Sequence, residues 1–229
     1  MFYKTPEGAY RARPFDPFEW LDHGFGTRAN PLLDLESVAT LRQVHSDRTV
    51  DAGARSGCLG EGDALVSNAP GSRLGVKTAD CLPILLVDEG HRAVAAVHAG
   101  WRGTVTQIVA KAVAEMAARF GTQPRDLHAA IGPGIGACCY QVGPEVAVQF
   151  QAMFPERRDL GCQTRVDLLE ANRRLLVEAG VRADRVYAAA LCTACGSGEF
   201  DSFRRDGQRA GRMLAMVGIR MSGPLLNSW

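Results

Sequence analysis

This 229-residue sequence has no dominant charge. Lys and Arg number 26 and Asp and Glu 25, a formal net charge of +1. That excludes a whole-chain electrostatic footprint for nucleic acid or an anionic membrane. Any anionic ligand must be held by a local site. No uncharged apolar run approaches the length of a membrane span. The N-terminal stretch MFYKTPEGAYRARPFDPFEW is broken by charge and proline and has no apolar core of a secretory signal. Internal repeats and low-complexity linkers are also missing, so nothing marks a point at which to divide the chain. The seven cysteines are odd in number and, without a signal, do not make a disulfide framework. The expectation is a cytoplasmic protein with reduced thiols that binds neither nucleic acid nor membrane.

Hydrophobic residues make up 46% of the chain and charged residues 22%, enough for a substantial core. Short Val-, Leu- and Ile-rich runs between Gly, Asp and Asn read as strands: 38–50, 63–67, 74–78, 83–87 and 93–98. Later strands are predicted at 127–131, 185–190 and 213–219. Val105, Ile108, Val109, Ala112, Val113, Met116, Ala117 and Phe120 share one helical face, with Gly121 as the stop. A second helix is predicted from Asp167, with Glu170 three residues on, and a third after Pro144. Helices follow strands without a linker, so the fold class is α+β: a single domain over residues 1–229, with mixed β-sheets and flanking helices. Periodicity does not give the strand order.

TADCLPILLVDEGHRAVAAVHAGWRG, residues 78–103, puts a thiol, Cys81, and an imidazole, His98, at the ends of two neighbouring apolar runs. His45 lies inside or at the end of another predicted strand. Together the three offer two nitrogens and one sulfur. Their gaps are too long for a zinc finger and suit a site gathered from several strand ends. Three protein ligands with one open position is the arrangement of catalytic zinc, whose bound water is acidified. Residues of this kind at strand ends are more often satisfied core side chains. A third reading is a metal-free pair, Cys81 as nucleophile and His98 as base. Asp80 would orient the imidazole or serve as a strand-end turn residue.

Cys138-Cys139 and Cys192-Thr193-Ala194-Cys195 could form a structural zinc site, but adjacent cysteines make awkward ligands and packing is the preferred reading. Ile131-Gly132-Pro133-Gly134-Ile135-Gly136 is a tight turn or an anion nest. Arg28 and Arg102 are candidate forks for an oxyanion or phosphate, against a default of surface ion pairing. His91 and His128 border strands at charged positions and are expected to be exposed.

In order along the chain stand His23-Gly-Phe-Gly-Thr-Arg28, Gln43-Val-His45, Gly62-Asp-Ala-Leu-Val66, Thr78-Ala-Asp-Cys-Leu-Pro83 and Val97-His-Ala-Gly-Trp-Arg-Gly103. Ile131 to Gly136, Cys139-Tyr140, Cys192-Thr193, Phe203-Arg-Arg-Asp-Gly207 and Gly211-Arg-Met213 follow. This series resembles the YfiH-like family, also called the multicopper polyphenol oxidase or laccase-domain family, which includes purine nucleoside phosphorylases. The resemblance implies a four-layer α/β/β/α YfiH-like architecture and zinc held by His45, Cys81 and His98. It implies phosphorolysis of adenosine, inosine and methylthioadenosine, and hydrolytic deamination of adenosine. Cys81, His98 and Asp80 would be the catalytic residues, and Arg28 and Arg102 would bind substrate. The expected partners are a purine nucleoside and phosphate, met by a monomer. Copper is the less favoured ion, since five histidines are too few for several imidazole-rich copper sites. The alternatives are a copper polyphenol oxidase and a Cys/His hydrolase acting on an amide, such as a peptidoglycan-precursor editing enzyme.

Overall fold

The structure is a computed structural model that describes residues 2–32 and 36–221. Its strands, in chain order, are β1 (Phe2–Lys4), β2 (Tyr10–Ala12), β3 (Leu21–Phe25), β4 (Ala39–Arg42), β5 (Thr49–Asp51), β6 (Gly57–Glu61), β7 (Ala64–Ser67), β8 (Arg73–Thr78), β9 (Leu82–Asp88), β10 (Ala93–Ala99), β11 (Leu127–Ile131), β12 (Gln141–Val142), β13 (Thr164–Arg165), β14 (Val186–Ala188) and β15 (Met213–Ile219). The α-helices are α1 (Trp101–Val105), α2 (Ile108–Phe120), α3 (Pro144–Ala147), α4 (Leu168–Glu178) and α5 (Phe203–Asp206). No helix among the described residues is long and apolar enough to cross a membrane.

The strands form two large mixed sheets and a two-stranded ribbon. One sheet has the order β1-β2-β3-β15-β8-β4-β6, the other β14-β11-β9-β10-β7-β5. In the second sheet β9 and β10 are antiparallel neighbours, fully buried and apolar along nearly their whole length. A strand covered on both faces loses the alternation of polar and apolar residues, which is why these two read as continuous apolar runs. Alternate residues nonetheless serve two cores. Leu82, Ile84, Leu86, Ala93, Ala95 and Val97 pack with α2 and α4. Leu85, Val87, Val94 and Ala96 pack against Phe25, Leu74 and Val217 of the other sheet. The result is a single α+β domain of stacked mixed sheets with a helical layer.

Three local differences from the sequence reading bear on the site. The run 38–50 is two strands, and His45 lies in the loop between β4 and β5 at φ 59°. Trp101-Arg102-Gly103 opens α1, and that helix breaks before α2 at Gln107, which has φ 62°. The N-terminal β1, β2 and β3, and the short β6, have no counterpart in the sequence reading. Asp167 does cap α4, accepting the Glu170 N–H at 3.0 Å. The Glu170 side chain goes to Arg173 and Arg174 instead of returning to the cap.

Candidate metal centre

The β9–β10 hairpin sets the first two donors. His98 is opposite Pro83, so Cys81, one residue ahead of β9, is its diagonal neighbour on the same side of the ribbon. By the same alternation both belong to the parity that faces the first sheet, with Leu85 and Val94. The third donor comes from that direction. The His45 Nε2 lies 3.9 Å from the Cys81 Sγ, and the His45 and His98 rings are 5.0 Å apart at 72°. Donor atoms of His45, Cys81 and His98 all fall within 4.8 Å of one another. His98 is buried, Cys81 half-buried and His45 exposed.

A residue the sequence reading passed over organises this group. Asp63 is fully buried, just ahead of β7. Its carboxylate accepts the His98 Nδ1–H at 2.8 Å. It also accepts the N–H groups of Val44, His45 and Ser46 at 3.2, 3.0 and 2.6 Å. One carboxylate thus fixes the His98 ring and the loop that carries His45. Burial alone would raise its pKa, but the bonds from His98 and Ser46 hold it down to about 2. With Nδ1 engaged, His98 presents Nε2 to the site, the outer-shell arrangement of metal-bound imidazoles. The Gln43 amide closes the loop's other side, donating to the Lys77 carbonyl at 2.7 Å and accepting the Lys77 N–H at 2.8 Å.

Burial pushes the Cys81 thiol up, yet hydrogen bonds to His45 and His98 outweigh it and bring it to about 6. Burial pulls the His98 imidazole down, and the bonds to Asp63 and Cys81 raise it past its ordinary value. An anionic sulfur beside two imidazoles is a suitable donor set for a borderline-soft divalent ion. Gly100 leaves room for it: a Cβ there would lie 2.8 Å from the Cys81 Sγ and 3.2 Å from the His45 ring.

The three donors sit in the wall of a cleft of about 800 Å3, a volume suited to a small-molecule ligand. Trp101, Tyr140 and the exposed Phe203 supply aromatic surface. Arg42, Lys77, Arg102, Arg204 and Arg212 supply cations, against the acids Asp80 and Glu145. Arg102 lies over the Trp101 ring at 4.4 Å. Among the described residues Lys77, Arg102 and Arg212 have no carboxylate partner.

Asp80 also borders the cleft, but both its oxygens are engaged. It accepts the Thr193 hydroxyl and the Arg204 N–H, each at 2.6 Å. Its φ of 91° and the bond from the Ile135 N–H to its carbonyl make it the turn that aims Cys81. Arg28 is not brought to the cleft. Its guanidinium donates to the Ser197 carbonyl at 2.8 Å and lies 3.4 Å from Asp201, tying the loop after β3 to the loop before α5.

The family described as multi-copper polyphenol oxidoreductase laccase matches residues 27–220. The chain belongs to this laccase-like family. A relative from Deinococcus radiodurans named purine nucleoside phosphorylase is 41% identical over 189 residues, 80% of this chain and 71% of its own. Adenosine deaminase RL5, from an unknown prokaryotic organism, is 38% identical over 195 residues, 79% of this chain and 74% of its own. The crystal structure of YlmD from Geobacillus stearothermophilus matches with a TM-score of 0.84 at 29% identity, covering 96% of this chain and 98% of that one. That of a hypothetical protein YfiH from Bacillus licheniformis matches with 0.85 at 27%, covering 96% and 99%.

The family's description speaks of several coppers, and the imidazoles of this member do not converge for them. His23 accepts the Ala12 N–H at 3.0 Å, His91 pairs with Asp88 at 2.8 Å, and His128 bonds the Tyr187 hydroxyl at 3.1 Å. Among the described residues only His45 and His98 meet, in a group with Cys81 that could hold one ion.

Proposed function

We propose that this laccase-like family member is a zinc-dependent purine nucleoside enzyme. It would split adenosine, inosine and methylthioadenosine with phosphate and deaminate adenosine with water. The observation that carries this reading is the meeting of a His45–Cys81–His98 donor set with a cation-lined, aromatic cleft of nucleoside size. The names of the relatives support the two reactions, neither of which is a redox reaction. One His₂Cys set, with no second group of imidazoles, favours zinc over multicopper chemistry.

When bound by His45, Cys81 and His98, zinc supplies a Lewis acid with an open position for water, phosphate oxygen or a purine atom. The chain's own residues do the rest. Asp63 holds the His98 proton at Nδ1 and keeps Nε2 free. The exposed Phe203 offers a face for the purine ring. Lys77, Arg102 and Arg212 are the cations available to phosphate, and Arg102 rests over the Trp101 ring. Asp80 positions the Cys81 turn, and Glu145 is the other carboxylate of the cleft wall.

Turnover of adenosine with and without phosphate, with product analysis on metal-quantified protein, tests this reading. The expected products are ribose 1-phosphate and adenine with phosphate, and inosine without it. His98→Ala should lose the ion and both activities while the fold survives. A metal-stripped protein that still turns over would sink the zinc reading. It would favour the Cys81/His98 pair acting alone, which the lowered thiol pKa permits.

A further inference from the structure

Cys138, Cys139, Cys192 and Cys195 are far from the hairpin in sequence and play no part in the chemistry above. Packing is the ordinary use of cysteine, yet none of the four is buried: Cys138 and Cys195 are exposed, Cys139 and Cys192 half-buried. The structure nonetheless gathers all four sulfurs within 4.8 Å of one another. The Sγ of Cys195 is 3.5 Å from that of Cys138 and 3.4 Å from that of Cys139.

We infer that these four cysteines form a second metal site, a tetrathiolate for one structural zinc ion. Four sulfurs at about 2.3 Å from a tetrahedral zinc lie about 3.8 Å from each other, close to the observed spacing. The gathering leaves room for a single ion between the sulfurs and none for an iron–sulfur cluster.

Two features of the surroundings fit an anionic tetrathiolate. The Gly136 N–H donates to the Cys192 Sγ at 3.3 Å. A guanidinium brings positive charge to the same loops: Arg204 donates to the Cys139 carbonyl at 3.2 Å, while Arg205, which donates to the Thr193 carbonyl at 3.0 Å, is paired with Asp206. Gly136 also admits the sulfurs, since a Cβ there would lie 3.2 Å from the Cys138 Sγ and 3.6 Å from that of Cys192.

The two loops clamped in this way carry cleft residues. Ile135 and Tyr140 flank Cys138 and Cys139, and Thr193, beside Cys192, donates to Asp80. An ion here would brace one wall of the cleft without touching substrate.

The test is metal content of the full chain, produced without an affinity tag in zinc-supplemented medium. The wild type should hold about two zinc ions, His98→Ala and Cys195→Ser about one each, and the double variant none. If Cys195→Ser keeps the wild-type zinc content, the second site is wrong. Loss confined to His98→Ala leaves the catalytic reading standing, so the two can fail separately.

Should Cys195→Ser not fold, alkylation of the wild type decides. Cys138, Cys139, Cys192 and Cys195 should resist iodoacetamide until a chelator is added, while the exposed Cys58 and Cys162 react throughout. Chelator-independent labelling of the four, or disulfides among them in anaerobically prepared protein, overturns the inference.

Discussion

Asp63 and Gly100 show how much of the His45–Cys81–His98 group depends on residues outside the donor set. Asp63→Asn is nearly isosteric but puts an amide NH₂ where one oxygen now meets only donors. Either the His98 Nδ1–H or the Ser46 N–H loses its acceptor. Zinc affinity, measured by competition with a chromophoric chelator, should fall about 10- to 100-fold. Unchanged affinity would mean that Asp63 serves the loop alone. Gly100 has φ −80° and ψ 179°, a backbone any residue adopts. An added methyl therefore acts only through space, against the Cys81 sulfur. Gly100→Ala should lose metal and turnover together, and because the Cys81 sulfur must shift in the apo state too, the apo thermal midpoint should also fall. The adjacency of Cys81 and His98 was legible, because two apolar runs joined by a short turn make a hairpin. Asp63 was not, because an acid before a strand looks like any turn residue until its acceptors are counted. Arg28 shows the converse: an arginine beside glycines suggests a ligand fork, and tertiary structure gives it Ser197 and Asp201 as partners.

At the scale of elements, legibility follows burial. β9, β10 and β15 are long and buried, and their spans were readable to within a residue or two. β1, β2 and β6 are short and carry charge or glycine, so no buried apolar run marks them. The β2–β3 contact makes the point through His23. Its Nε2 accepts the Ala12 N–H in the sheet interior, and it is 3% exposed. Burial, followed by the charge of Arg11, pulls its pKa down from 6.5 to about 3. Between those values the unfolded chain binds a proton that the folded chain refuses, so stability falls as pH falls. The slope from this group is about 1.4 kcal/mol per pH unit. His23→Gln, which can still accept from Ala12, should remove that slope from urea-unfolding free energies between about pH 6 and pH 4. Parallel wild-type and variant curves over this window would assign the acid sensitivity elsewhere.

Across the whole molecule, the sheet order was out of reach of periodicity because its pairings are non-local. β15, the last described strand, lies between β3 and β8, and the cleft is assembled from the β4–β5 loop, the β9–β10 hairpin, the segment after β11 and the helix α5. The same assembly explains how a chain of net charge +1 can hold an anion. Cations drawn from distant parts of the sequence share one concave surface, where low-dielectric walls strengthen their field. Arg102 is the member best placed to test this, since it has no carboxylate partner among the described residues and lies 4.4 Å over the Trp101 ring. If phosphate is bound there, Arg102→Ala should raise the KM for phosphate about tenfold, the size of one charge-assisted hydrogen bond. Hydrolytic deamination needs no phosphate and should fall less, so the ratio of phosphorolysis to deamination is the measurement. Added salt should weaken phosphate binding in the wild type more than in the variant. An equal loss in both reactions would place Arg102 at the nucleoside, and the phosphate would then have to be sought at Lys77 or Arg212.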